Sequence, residues 1–235
     1  MAKHPDDFQH LVKRGDRVYT VMCPLNLLGA SFGRRMVVLQ SSRGNVMLHS
    51  PFVLEGEILE TVNQLGPVTE VVVPTVFHDT FLNEVQQKYS SANYLVADGA
   101  ERLIKAKQGS ENIGKLALSE WAGDLTVIPI EGMPKVNEYA FIHHPSRSLL
   151  VSDLIFNIEG LHGAWRKTMA SLLGFSSAPG PSRLFRAMIK DKDAFRGSLE
   201  EILTHDFDQI ITSHFNVISA DGPRVIEQVL NRMLN

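Results

Sequence analysis

The first third of the chain alternates short apolar runs with turn residues, a pattern that predicts strands. Arg17–Met22, Met36–Gln40 and Val46–His49 are rich in apolar and β-branched residues. A glycine-bearing loop separates the first two runs, and the turn signal Arg43-Gly44-Asn45 separates the second from the third. Three such runs predict a β-meander. The next stretch, Glu55–Leu65, has apolar residues at helical spacing and ends at a Gly-Pro pair, so it predicts a helix.

Helix and strand patterns alternate along most of the remaining chain. Continuous apolar runs predict buried strands, and apolar residues three or four apart predict helices. The predicted elements are a strand at 70–74, a helix at 81–89, strands at 93–97 and within 121–130, a hairpin at 138–153, a helix at 198–203, a strand at 208–212 and a helix at 224–234. This order predicts an α/β protein with mixed sheets arranged in layers.

The segment 160–198 differs from its surroundings because it carries seven Lys or Arg residues against two acids. Two helices are predicted in it, around Trp165–Leu173 and Leu184–Lys190, with a Ser/Pro/Gly loop between them. One interpretation is a lid that closes over a site and attracts an acidic substrate or partner. The other is a helical pair on the surface with solvated basic side chains. The sequence leaves both open.

Composition excludes several classes of function. The chain has 235 residues, 44% of them hydrophobic and 21% charged, with a formal net charge of −3, which does not favour binding to nucleic acid or to an anionic membrane. The polar N-terminus is unlike a secretory signal, and no apolar run reaches the ~20 residues of a membrane span. We therefore expect a cytoplasmic protein of one domain, 1–235, that acts on a small molecule. The lone Cys23 is typical of a small core residue rather than a nucleophile.

Polar residues recur just past predicted buried strands. His78 and Asp79 follow the first such strand, Asp153 follows the hairpin, and His214 follows the strand near the C-terminus. Strand ends are where side chains from distant positions converge in sheet-based sites. Histidine and carboxylate ligands suit Zn, Fe or Mn, and such an ion lowers the pKa of a bound water and polarises an ester, amide or phosphate oxygen. Each residue also has a structural interpretation, as a helix or turn cap or as a hydrogen-bonded histidine.

Motifs for other chemistries are missing from the sequence. There is no G-x-S-x-G, no phosphate-binding glycine loop and no H-x-H or H-E-x-x-H. His143-His144 with Arg147 could form an anion-binding turn or a solvated hairpin tip, and tips are polar by default.

From about Val18 to its end, the chain resembles the metallo-β-lactamase-fold superfamily, and within it a bacterial branch described as metallo-β-lactamase-like domains of unknown function. The similarity rests on VVVPTVFHDTFL (71–82), NEYAFIHHPSRSLLVSDLIFNI (137–158) and HDFDQIITSHF (205–215). It implies a four-layer αββα sandwich with a site at one edge. In this resemblance, Asp153 takes the place of the aspartate that bridges two metals, and His214 that of the last histidine ligand.

The remaining ligand positions of that family do not match. Aligning Asp79 with the aspartate of T-H-x-H-x-D-H places Thr75, Phe77 and Thr80 on histidine positions, and Met133 replaces the histidine of a G-H-T loop. A thioether is a poor ligand for a hard or borderline divalent ion. The resemblance therefore implies at most one divalent ion, zinc or iron, or none.

Two functional hypotheses follow. The first is a hydrolase of an ester, lactone or related bond, with metal ligands drawn from His78, Asp79, Asp153 and His214, and with Asp153 and Asp79 as catalytic residues. The second is a metal-free relative of such an enzyme that acts as a small-molecule binding or protein-interaction module. A basic surface that recognises an acidic protein is a weaker third hypothesis.

Overall fold

Two β-sheets lie face to face in the computed structural model, which describes residues 10–27, 30–31, 33–78, 81–104, 109–159, 163–172 and 174–234. The strands in this part of the chain are β1 (Val12–Gly15), β2 (Val18–Cys23), β3 (Asn26–Leu27), β4 (Ala30–Ser31), β5 (Arg34–Gln40), β6 (Val46–His49), β7 (Val68–Val73), β8 (Asn93–Val96), β9 (Glu111–Asn112), β10 (Leu125–Pro129), β11 (Tyr139–His143), β12 (Ser148–Val151) and β13 (Gln209–Thr212). The α-helices are α1 (Gly56–Leu65), α2 (Leu82–Lys88), α3 (Ala164–Leu172), α4 (Arg183–Ala187), α5 (Lys192–Leu203) and α6 (Gly222–Leu234), and short 3₁₀ helices occupy Glu101–Leu103 and Ile113–Leu118.

The described strands form one sheet in the order β1-β2-β5-β6-β7-β8-β9 and a second in the order β10-β11-β12-β13. The first sheet opens with antiparallel pairs, as the predicted meander requires, and continues with parallel pairs from β6 to β9. In the second sheet β11 and β12 form the predicted hairpin, and β12 runs parallel to β13. β3 and β4 pair separately.

Alternation of side chains along each strand produces the layers. On β5, Val37 and Leu39 pack between the two sheets, whereas Met36 and Val38 pack on the outer face. Successive side chains of a strand point to opposite faces, so a strand that is apolar throughout must be covered on both sides. The second sheet repeats the pattern, with Phe141 facing the first sheet and its neighbour Ile142 facing outward.

Helices cover the outer face of each sheet. Val62 of α1 and Val85 of α2 pack on the first sheet, while Leu199 of α5 and Ile226 of α6 pack on the second. The structure confirms the predicted four-layer αββα sandwich. Among the described residues, no helix combines the length and the apolar character that a bilayer span requires.

Element boundaries differ from prediction mainly in the basic segment. α5 begins at Lys192, earlier than the predicted start at Ser198, and α4 ends at Ala187 rather than at Lys190. The cause is Asp191, whose carboxylate accepts the main-chain N–H groups of Asp193 and Ala194 and so starts a new helix there. Strand β1 was not predicted, because its polar residues lack the alternation of a half-buried strand.

Candidate metal centre

Three metal-ligating side chains from distant parts of the sequence meet at one edge of the sandwich. One ligand atom each from His78, Asp153 and His214 lies within 4.8 Å of the others. Nε2 of His78 is 3.7 Å from Oδ2 of Asp153, and Nε2 of His214 is 3.5 Å from Oδ1 of the same carboxylate. All three residues are nearly buried, at 3%, 9% and 9% exposed.

The sheet topology brings the three residues together. Asp153 and His214 each lie two residues beyond the carboxyl ends of β12 and β13, and these strands are parallel neighbours. His78 lies in the turn after β7, which belongs to the facing sheet. Carboxyl ends of parallel strands meet at one edge of a sheet, so the site spans the gap between the two sheets.

A main-chain carbonyl fixes the tautomer of His214. Nδ1 of His214 lies 3.0 Å from the carbonyl oxygen of Gly33, immediately before β5. A carbonyl oxygen can only accept a hydrogen bond, so Nδ1 carries a proton, and the neutral tautomer that this bond selects has its lone pair on Nε2. That lone pair faces Asp153.

A chain of hydroxyl groups gives His78 the same orientation. Nδ1 of His78 contacts Oγ of Ser50 at 2.8 Å, Oγ of Ser50 contacts Oγ of Ser213 at 3.2 Å, and Ser213 donates to the carbonyl of Val151 at 3.5 Å. The carbonyl at the end can only accept, so each hydroxyl donates toward it and Nδ1 of His78 is the first donor. Burial and the nearby Arg34 lower the pKa of His78 to about 4, against the opposing effect of Asp153. The ring is therefore neutral at pH 7, with a lone pair on Nε2.

This arrangement fits a cation. The Nε2 atoms of two imidazoles face the oxygens of one carboxylate, and in the neutral tautomers selected by the Nδ1 contacts their lone pairs repel the carboxylate unless a positive charge lies between them. Among the described residues, the buried Nε2 of His78 has no hydrogen-bond partner. Ligands bound tetrahedrally at zinc distances lie about 3.3 Å apart, close to the observed 3.5 and 3.7 Å. Two histidines and a carboxylate leave coordination positions open, as in catalytic zinc and non-haem iron sites.

The loop that carries Asp153 is held by a buried glutamate. Oε1 of Glu138 accepts the N–H groups of Ser152 at 2.7 Å and Leu154 at 3.3 Å, and Oε2 accepts that of Asp153 at 3.0 Å. Burial, together with the charge of Asp153, raises the pKa of Glu138, and the three N–H donors oppose that rise. Burial would also raise the pKa of Asp153, but His78 and His214 in their protonated forms outweigh it and lower this pKa. Asp153 therefore supplies the negative charge of the cluster.

Two consecutive buried arginines at the start of β5 hold the other loops. Arg35 donates from Nη1 to the carbonyl of Thr212 at 2.6 Å and from Nη2 to that of Phe215 at 2.7 Å, on either side of His214. Arg34 donates to the carbonyl of His78 at 3.2 Å. Phe215, at φ 59°, has the left-handed backbone conformation that is uncommon for bulky residues. The ligand loops are thus fixed through their main chains.

Of the four predicted ligands, the structure brings His78, Asp153 and His214 together, while Asp79 lies outside the described residues. Met133 is 1% exposed and packs in the core outside the second sheet. Cys23 is half-buried, and burial raises the pKa of its thiol to about 11, so the thiol stays protonated.

At the hairpin turn, for which the sequence left an anion-binding turn and a solvated tip open, two of the three side chains make contacts within the protein. His143 is buried, with Nδ1 2.7 Å from Oγ of Ser146. Arg147 forms an ion pair with Asp206. His144 and Arg147 are exposed, as expected of a solvated hairpin tip, whereas His143 is not. The hairpin turn lies at the end of β11 and β12 opposite to the end that carries Asp153.

Sequence reasoning missed the residues that orient the ligands. Ser50 directly follows β6, so the strand-end rule that selected His78 and His214 would also have selected it. Glu138 and the pair Arg34-Arg35 are charged residues beside apolar runs that proved to be buried. A charge next to a buried strand is a usable signal, but the sequence does not reveal its partner.

No protein-family model matches the sequence, and no curated protein matches it. Solved structures do match over nearly the whole chain. A metallo-β-lactamase from Pontibacter korlensis is 11% identical, with a TM-score of 0.60, covering 96% of this chain and 99% of that one. The DIM-1 metallo-β-lactamase is 9% identical, with a TM-score of 0.63, covering 95% and 97%. The metal-soaked Flv1 flavodiiron core from Synechocystis is 12% identical, with a TM-score of 0.64, covering 96% and 60%. These similarities establish that the chain has the metallo-β-lactamase fold.

Proposed function

We propose that this chain of metallo-β-lactamase fold is a hydrolase that holds one divalent ion, zinc or iron, between His78, Asp153 and His214. The observation that carries the proposal is that the Nε2 atoms of His78 and His214 face one buried carboxylate while each Nδ1 is engaged by a hydrogen-bond partner. The bond we propose as its target is an ester, a lactone or a related carboxylic acid derivative. An ion in this position would polarise the substrate carbonyl and lower the pKa of a water molecule.

The residues of the chain have separate roles in this proposal. Gly33 and Ser50 keep the protons on the Nδ1 atoms of the two histidines, so that both Nε2 atoms remain available. The carboxylate of Asp153 would accept the proton of the attacking water. As water adds to the carbonyl carbon and the C–O bond to the alcohol breaks, that proton passes to the departing oxygen. Asp79, next to His78 in sequence, remains the predicted second catalytic carboxylate.

The alternative is a metal-free module that binds a small molecule. It is supported by a cavity of about 450 Å³ beside the cluster, walled mainly by apolar side chains. In this alternative, protons rather than a metal ion neutralise the cluster, and the lowered pKa of Asp153 is compatible with such a state.

Metal content distinguishes the two functions. The chain is purified without chelator or polyhistidine tag, and zinc and iron are measured alongside the variants Asp153→Ala and His214→Ala. The matched control is His144→Ala, because His144 is exposed and lies outside the cluster. We expect about one equivalent of metal in the native chain and in the control, and a loss of most of it in the other two. Metal well below one equivalent in folded native protein, unchanged by either substitution, overturns the metalloenzyme proposal.

Hydrolysis is then tested on the metal-loaded chain with a panel of esters and lactones. We expect turnover that Asp153→Ala and Asp79→Asn abolish or strongly reduce, and that His144→Ala leaves unchanged. Stoichiometric metal without turnover of any substrate in the panel would count against hydrolysis of this bond class.

A further inference from the structure

The cavity beside the candidate metal centre has a polar end and an apolar remainder. It has a volume of about 450 Å³, and His78, Asp153 and His214 lie at its polar end. Apart from those three residues and Arg34, its described lining carries no charged side chain, and Ser182 is the one other polar residue in that lining. A ligand that fills this space must therefore be amphipathic, with one small polar group and a larger apolar part.

The apolar part of the cavity begins directly on a candidate ligand. The ring of Phe156 stacks on that of His214, with centroids 5.7 Å apart and planes at 25°. The ring centroid of Phe175 lies 4.6 Å from that of Phe156 and 5.2 Å from that of Phe215, so the three phenylalanines form a continuous aromatic wall. Rings packed at these distances hold each other in place.

The basic segment supplies much of the remaining apolar lining of the cavity as well as Phe175. Phe175, Leu184 and Met188 from this segment line it. The segment is anchored beside the aromatic wall by two main-chain hydrogen bonds, from Phe156 to Gly180 at 2.9 Å and from Gly180 to Phe156 at 3.2 Å. Leu184 is 63% exposed although it lies in the cavity lining. Exposed leucine at the edge of an apolar cavity is surface that a bound apolar group would cover.

We infer that the substrate is a carboxylic acid derivative with an apolar acyl group, bound with its carbonyl at the cluster and its chain along the wall of Phe156, Phe175 and Phe215. The position of the carbonyl rests on the proposed hydrolase function, whereas the apolar chain site rests on the cavity itself. The basic side chains of the segment play no part in this recognition, because the lining it contributes is apolar apart from Ser182.

The test is calorimetric titration of the metal-loaded chain with butanoate, hexanoate and octanoate, which are the acids that hydrolysis would release. Burial of each added methylene is expected to tighten binding about fourfold. Leu184→Ser is expected to weaken octanoate binding about fivefold and to affect butanoate much less. Leu172→Ser is the matched control, because Leu172 is also exposed, at 68%, and is not in the described lining of the cavity.

Each outcome bears on one proposal or the other. Equal affinity for the three acids, or an equal loss of octanoate affinity in both leucine variants, overturns the inferred chain site. Repeating the series on metal-free protein separates this inference from the proposed function. Chain-length dependence that persists without metal, together with weaker binding overall, supports both. If the affinities themselves, and not only their chain-length dependence, are identical with and without metal, the result supports the chain site and counts against a metal at the cluster.

Discussion

Nδ1 of His214 donates a hydrogen bond to the main-chain carbonyl of Gly33, at 3.0 Å and across 181 positions of sequence. The acceptor is a peptide carbonyl next to a strand, so it cannot rotate away as a side chain could. It holds the imidazole with Nε2 directed at Asp153. The imidazole is therefore preorganised for binding a cation through Nε2.

The backbone at Gly33 should therefore control metal affinity. Gly33 has φ 75°, a conformation that costs other residues about 1–2 kcal/mol. Gly33→Ala should lower the free energy of unfolding by about that amount and weaken metal binding roughly tenfold. The matched control is Gly44→Ala, since Gly44 has φ 85° and an added Cβ there meets nothing within 4 Å. Chemical denaturation and metal titration provide the two readouts. Equal metal affinity in the two variants would contradict the orienting role.

The Ser50 hydroxyl should have a similar effect on His78. Ser50→Ala removes the acceptor 2.8 Å from Nδ1 and should weaken metal binding about 10- to 100-fold. Ser50 also has φ 56°, so Ser50→Gly removes the same hydroxyl while relieving backbone strain. We expect both variants to lose metal affinity, and the glycine variant to be the more stable to denaturant. Native metal affinity in Ser50→Gly would show that the hydroxyl group is not what orients His78.

Glu138 should position Asp153 through its main chain. In Glu138→Gln the amide group replaces one carboxylate oxygen, so an NH₂ group faces an N–H donor of the loop whichever way the amide is turned. We expect a loss of about 2–3 kcal/mol in unfolding free energy together with weaker metal binding. Glu131→Gln, at an exposed neighbouring position, should change neither quantity appreciably. If Glu138→Gln loses stability but binds metal as tightly as the native chain does, Glu138 stabilises the fold and does not position Asp153 for metal binding.

Buried neutral histidines should make the fold sensitive to acid. Burial lowers the pKa of His49 to about 3 and that of His143 to about 4, whereas both titrate near 6.5 in the unfolded chain. Above about pH 6.5 both histidines are neutral in the folded and the unfolded chain, and stability does not depend on them. As the pH falls toward 4, the unfolded chain takes up protons that the folded protein does not, so the free energy of unfolding falls by about 1.4 kcal/mol per pH unit for each histidine. Urea unfolding of metal-free protein between pH 7 and 4.5 measures this dependence.

His49→Leu isolates one of the two contributions. Neither ring nitrogen of His49 has a hydrogen-bond partner among the described residues, and the ring packs edge-on against Phe141 at 4.9 Å. An apolar side chain of similar size therefore loses no hydrogen bond there. In this variant the free energy of unfolding should depend less steeply on pH, by about 1.4 kcal/mol per pH unit. An unchanged slope would mean that His49 is not the titrating group.

The sequence by itself determined the layers of the fold. Alternation within β5, where Met36 and Val38 face one side and Val37 and Leu39 the other, is a local property of a pleated strand. It can therefore be predicted from neighbouring residues. The strand-end rule also selected His78, Asp153 and His214, because position relative to a buried run is likewise local.

Tertiary structure alone decided how those side chains are oriented and what surrounds them. The partners of His214 and Asp153 are the carbonyl of Gly33 and the carboxylate of Glu138, and the aromatic wall joins Phe156 to Phe175 from the basic segment. None of these pairs shares a sequence pattern. The physical reason is that periodicity is imposed by the geometry of one strand, whereas a hydrogen bond or ring contact depends on where a second, independently folded segment comes to rest.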